Sequence, residues 1–288
     1  MKRSVTVYTL NAFSRDVRGG NPAGVVLDAQ GLSDEEMRAI AAEVGFSETA
    51  FLLPSETCDA KVRFFTPTDE VDFCGHATVG VFSLLWQLKK IAHGTYTQET
   101  LAGELGLTVD ASGRVVMDQS LPVFGKTYAP ETIASILRVT PDAIKDPVLP
   151  IQEVSTGLTD IFVPVDSEAH LNAVEPDFDA MAAFNETTDT VGFHLFVPQS
   201  SPICCRNFAP RYGIEEESAT GSSNGALACY LWTHGLKKMD VSFLQGEKMG
   251  SSSRLDATVH AHDGAISRIQ VGGHASAFAT RQMNVNAR

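Results

Sequence analysis

The chain has 288 residues, 43% hydrophobic and 20% charged, with a formal net charge of −13. This is the composition of an ordinary globular protein, long enough that two domains are expected. The acidic balance, without a cluster of Lys and Arg, argues against a nucleic-acid partner, and no stretch nears the ~18 uninterrupted apolar residues of a membrane helix. Five cysteines, an odd number with no CxxC pair, predict reduced thiols instead of a disulfide framework or structural zinc site. Met1-Lys2-Arg3 leads straight into an alternating strand pattern with no signal-peptide core, so a cytoplasmic location is expected.

In chain order, alternating or β-branched runs predict short strands at 4–10, 24–27, 49–53, 61–65, 105–110 and 114–118. Ser33-Asp34-Glu35-Glu36 is a capping box opening a helix that stops at Gly45. No charged residue lies between Cys74 and Lys89, which predicts a helix buried on all sides. Pro122 punctuates a boundary near Gln119-Ser120-Leu121. The second half predicts strands at 151–155, 161–165, 190–197, 202–208, 241–246, 254–260 and 266–271. A second uncharged helix lies between Thr220 and Lys237.

The two halves repeat a plan. The only tryptophans, Trp86 and Trp232, each lie eleven residues after Gly75 and Gly221, an offset of 146 residues. Arg63-Phe64-Phe65-Thr66-Pro67 precedes the first run, and Arg206-Asn207-Phe208-Ala209-Pro210 the second. Gly45-Phe46-Ser47-Glu48 is matched with Gly157-Leu158-Thr159-Asp160. The pattern predicts an α+β protein of two pseudo-symmetric domains. Each is a curved, barrel-like, mostly antiparallel sheet around a central buried helix. The expected domains are 1–118 and 119–276, with a terminal strand near 277–288 packing back on the first. A cleft between related halves is a favoured ligand site.

Both buried helices open on a glycine with small or polar neighbours, so their N-terminal N–H groups are suited to hold a carboxylate. Glu48 stands where an apolar strand begins, an environment that favours general acid–base work. His76, in the first helical turn, is expected to be neutral because the positive helix end disfavours imidazolium. Cys74 is either a packed thiol or a thiolate base at the helix N-terminus, and its counterpart Thr220 cannot be a second thiol. His260 and His262 share a strand face without a third ligand, so no metal is expected there.

The segments Gly20-Asn21-Pro22-Ala23-Gly24-Val25, Phe46-Ser47-Glu48-Thr49-Ala50-Phe51, Arg63 to Pro67, Asp72-Phe73-Cys74-Gly75-His76-Ala77-Thr78 and Ala219-Thr220-Gly221-Ser222 resemble the PhzF family of phenazine-biosynthesis-like isomerases, essentially end to end. The resemblance implies the diaminopimelate epimerase-like fold, a homodimer, and proton transfer without cofactor or metal. It places the catalytic roles on Glu48, His76 and Glu217, the last standing where the family has aspartate. Gly75, Gly221, Ser222, Asn21 and Cys74 are implied to contact a small carboxylate-bearing substrate. The expected reaction moves a proton between two carbons through Glu48. Two alternatives stand beside it: a Cys74-based epimerase or dehydratase of an amino or hydroxy acid, and a non-catalytic small-acid binding protein.

Overall fold

The computed structural model describes residues 2–286. Residues 1, 287 and 288, which the expected spans include, lie outside the described residues. The chain divides into two compact units, Met1–Asp118 with Gly272–Arg288, and Gln119–Val271.

In the first unit, β1 (Lys2–Ala12) pairs antiparallel with β2 (Asn21–Val26). The chain then passes through α1 (Asp34–Val44) into β3 (Thr49–Leu53), parallel to β2. β4 (Ala60–Phe65) is antiparallel to β3 and carries the two-residue β5 (Glu70–Val71). After α2 (Gly75–Gln87), β6 (Gly94–Thr100) returns parallel to β4. β7 (Gly103–Val109) and β8 (Val115–Gln119) complete an antiparallel meander. The uncharged α2 is buried continuously from His76 to Leu85 and packs on β1, β2 and β3. The amphipathic α1 carries the predicted Ser33–Glu36 capping box and ends on left-handed Gly45. It lays Met37, Ile40 and Ala41 on a separate core with Val5, Phe51 and Phe65.

The second unit opens with β9 (Val123–Tyr128) and α3 (Pro130–Leu137). β10 (Ile151–Ser155) pairs antiparallel with β9 and with β11 (Thr159–Pro164). Two helices, α4 (Glu168–Ala173) and α5 (Phe178–Thr188), lead to β12 (Gly192–Phe196), parallel to β11. β13 (Ile203–Ala209) is antiparallel to β12 and bears β14 (Ile214–Glu217). Past α6 (Gly221–Leu231), β15 (Asp240–Gln245) runs parallel to β13, followed by β16 (Ser253–His262) and β17 (Ala265–Gly273). α6 is buried from Ser223 to Leu231. The last strand, β18 (Ala279–Asn286), belongs to the first unit and pairs antiparallel along β1.

The α+β architecture is as expected, but three helices were not predicted. α3 to α5 cover a core of Ile133, Leu137, Ile161, Leu171, Met181 and Phe193. Ser167 and Asp177 cap α4 and α5 through their side chains.

The same succession of antiparallel and parallel pairings runs through each unit, and it corrects one part of the sequence repeat. Thr49 faces Phe65 in the first unit, and Phe193 faces Phe208 in the second. With Phe65 matched to Phe208, the counterpart of Glu48 is Gly192, and Asp160 corresponds to Ala23. The similarity of the two Gly-x-x-acidic segments is a coincidence of turn chemistry, since one precedes β3 and the other enters β11.

Candidate active site

Three of the expected residues meet in the first unit. Glu48 is placed by the left-handed stop of α1 at Gly45 and by its own carbonyl, which accepts the Gly24 N–H at 3.3 Å. That close strand approach explains Gly24: a Cβ there would lie 2.6 Å from Thr49 Oγ1. Cys74 is the N-cap residue of α2, and His76 occupies its first turn. Thr78 donates to the Cys74 carbonyl at 2.9 Å, and buried Gln98 donates to Thr78 Oγ1 at 3.2 Å, so the helix start is braced from beneath.

His76 lies between the other two groups. Its Nε2 is 3.3 Å from Glu48 Oε2, and its Nδ1 is 3.3 Å from Cys74 Sγ. The Glu48 contact is off the hydrogen-bond direction, and Oε2 is buried without a hydrogen bond. Burial holds the His76 imidazole below its ordinary pKa, against the opposing pull of Glu48. The ring is therefore neutral near pH 7, chiefly through desolvation. No side chain caps α2. Packing does not demand Gly75 either, since a Cβ there would meet Met117 Cε only at 3.8 Å. Asn21 opens β2 opposite Ala12 and is buried.

Three more of the expected residues gather at the start of α6 in the second unit. Thr220 Oγ1 donates to Glu217 Oε2 at 2.8 Å, so the acidic residue is tied to the helix start. Buried Gln245 donates to the Glu217 carbonyl at 2.7 Å and accepts from the Thr220 N–H at 3.2 Å. The carbonyls of Gly221 and Ser222 accept from Gln119 and Thr156 at 2.9 and 3.1 Å. No side chain caps this helix, so both helix starts retain the N–H character suited to an anion.

Sequence reasoning missed a second polar cluster in this unit. Asp160 Oδ2 accepts a short hydrogen bond from Ser223 Oγ, and the Asn207 amide bridges toward Asp160 and His194 Nδ1. Burial pushes the Asp160 carboxyl up to about 6 and the His194 imidazole down to about 3. The available signal was a lone Asp and a lone His inside the apolar strands Thr159–Pro164 and Gly192–Phe196. His260 hydrogen-bonds Gln270 at 3.0 Å, and exposed His262 contacts Asp263, so neither is left for a shared ligand.

Across residues 10–281 the chain matches the family model of the phenazine biosynthesis-like proteins PhzC-PhzF. The chain belongs to this family. The uncharacterized isomerase YddE of Escherichia coli K12 is 35% identical over 282 residues, covering 93% of this chain and 95% of that one. A Pseudomonas chlororaphis trans-2,3-dihydro-3-hydroxyanthranilate isomerase is 31% identical over 282 residues, covering 93% and 95%. The crystal structure of a PhzF-family protein from Bacillus anthracis superposes with TM-score 0.88 at 30% identity, covering 99% of this chain and all of that one. Among the described residues, no helix of this PhzC-PhzF protein is long and apolar enough to cross a membrane.

Proposed function

We propose that this protein moves a proton between two carbons of a small carboxylate-bearing substrate, with Glu48 as the acid–base group. Its class, isomerase, is the one its relatives' names carry. The observation that carries the residue assignment is Glu48 Oε2: a buried carboxylate oxygen without a hydrogen bond, 3.3 Å from an imidazole kept neutral by burial. A carboxylate saturated by donors is a weak base, and this one keeps a lone pair available. Glu48 takes the proton from an activated C–H and returns it to another carbon. His76 positions Glu48 and the substrate's polar groups. The N–H group at Gly75 receives the carboxylate, and Asn21 and Cys74 contact the substrate.

NMR in heavy water with small amino, hydroxy and cyclic dienoic acids tests this reading. A carbon-bound proton should exchange with the wild type, and Glu48→Gln should slow that exchange by about 10² to 10⁴.

One observation favours a second reading: Cys74 Sγ is 3.3 Å from His76 Nδ1, within reach of a base. In that reading Cys74 removes an α-proton in an epimerase or dehydratase. Loss of exchange in Cys74→Ala with Glu48→Gln unaffected would select it.

A further inference from the structure

Glu48, Cys74 and His76 present one oxygen, one sulfur and one nitrogen whose ligating atoms lie within 4.8 Å of one another, the sole such three-residue group among the described residues. Nε2 of His76 is 3.3 Å from Glu48 Oε2 and 3.9 Å from Cys74 Sγ. A tetrahedral zinc ion with bonds of about 2.0 Å to N and O and about 2.3 Å to S sets its ligands roughly 3.3 to 3.6 Å apart. The imidazole–carboxylate edge has that spacing already; the thiol must close by a few tenths of an ångström on Nε2, and its separation from Glu48 Oε2 lies within 4.8 Å.

We propose that Glu48 Oε2, His76 Nε2 and Cys74 Sγ form a binding site for a thiophilic divalent cation such as zinc. Three observations converge on it. Glu48 Oε2 is a buried lone-pair donor without a hydrogen bond, beside the other two ligands. Cys74 is the N-cap residue of α2, which brings its thiol beside His76 in the first turn, 3.3 Å from Nδ1. A carboxylate and a thiolate together balance a divalent charge, with the thiol proton released to solvent. Three protein ligands leave a fourth position open, as in catalytic zinc sites and unlike closed structural ones.

The remaining cysteines offer no comparable set. Among the described residues, none of them belongs to a group of three such ligands. The proposed function bears on this site in one consequence: an ion bound there occupies the Glu48 lone pair and stops proton transfer. Metal binding itself is independent of that reading.

The test is titration of metal-free protein with Co²⁺, followed by the sulfur-to-cobalt charge-transfer absorption and displacement with Zn²⁺. One equivalent should bind with a sulfur-to-cobalt band. Cys74→Ala should abolish the band, Cys204→Ala should retain it, and Glu48→Gln should weaken binding at least about tenfold, the low end of what even outer partners of a metal ligand contribute. Thermal melts establish that each variant is folded, and Cys74→Ser serves if Cys74→Ala is not. Absence of the band in the wild type, or its survival in a folded Cys74 variant, overturns the proposal. Proton exchange in metal-free protein is read separately: its loss in Glu48→Gln bears on the isomerase assignment, while the cobalt band bears on the metal site.

Discussion

The two units share a scaffold and differ in what they seal inside it. Each has an arginine held in a bidentate grip and stacked on a phenylalanine two residues away: Arg63 on Glu70 and Phe65, Arg206 on Glu216 and Phe208. Each sets a glutamine beneath the start of its buried helix, Gln98 and Gln245. Above that common base they diverge. Ala23, Ala50, Phe64 and Ala77 of the first unit correspond to Asp160, His194, Asn207 and Ser223 of the second, where they form a fully buried polar network. The first unit keeps Glu48 20% exposed beside His76, whereas the second has Gly192 at that place. A side chain at Gly192 is excluded, since its Cβ would lie 1.9 Å from the Phe208 carbonyl oxygen. Titratable groups occur in both units, and exposure is what sets Glu48 apart from the sealed Asp160 network.

The largest effect is expected at Glu48. Glu48→Gln should reduce proton exchange about 10²- to 10⁴-fold. Its thermal midpoint should stay near the wild-type value, because Oε2 makes no hydrogen bond. A stability loss matching the activity loss would make Glu48 structural.

The shared braces come next. Arg206 is 7% exposed and also donates to the carbonyls of Leu171 and Val174 at 2.9 and 2.8 Å. Arg206→Ala should cost about 3 to 5 kcal/mol, the range for stranding one partner of a buried pair. Arg63, 19% exposed, has an exposed Asp34 as its third partner, so Arg63→Ala should cost less, about 1 to 2 kcal/mol. Equal losses in urea melts would contradict the difference in burial.

The sealed network predicts a pH signature. Asp160, raised to about 6, keeps its proton in the native state after the unfolded chain has lost it. Its contribution is therefore present below about pH 4 and is lost as pH rises through 6. His194, lowered to about 3, contributes above its unfolded pKa of about 6.5 and loses that contribution as pH falls. Between roughly pH 4 and 6 the two slopes oppose each other. Asp160→Asn removes the first, so the variant should lose about 1.4 kcal/mol per pH unit more than wild type on acidification across that window. Parallel stability curves would show that the Asp160 carboxyl is not raised in the native state.

The smallest effect is expected at the helix start. Gly75→Ala should shift stability by no more than about 0.5 kcal/mol, the usual range for a substitution that disturbs no packing. Impaired exchange in this stable variant would then report contact with substrate.

Much of this was legible in the chain. The absence of charge between Cys74 and Lys89, and between Thr220 and Lys237, identified both buried helices, and the Ser33 capping box marked α1. α3 to α5 were missed because their 8, 6 and 11 residues mix polar and apolar types, leaving Pro130 in the first turn of α3 and the caps Ser167 and Asp177 as the local signals. β5 and β14 are too short, at two and four residues, to show a period. Glu48, Cys74 and His76 were each visible as candidates. Their meeting around one imidazole was not, because it depends on the loop before β3 reaching the start of α2, a tertiary contact without local periodicity.

The most direct measurement is NMR of wild-type protein and Glu48→Gln in heavy water with the acid panel. Deuterium uptake at a carbon-bound position is expected with the wild type, and its loss in the folded variant. Undiminished uptake with Glu48→Gln would contradict it and move the proton-transfer role away from Glu48.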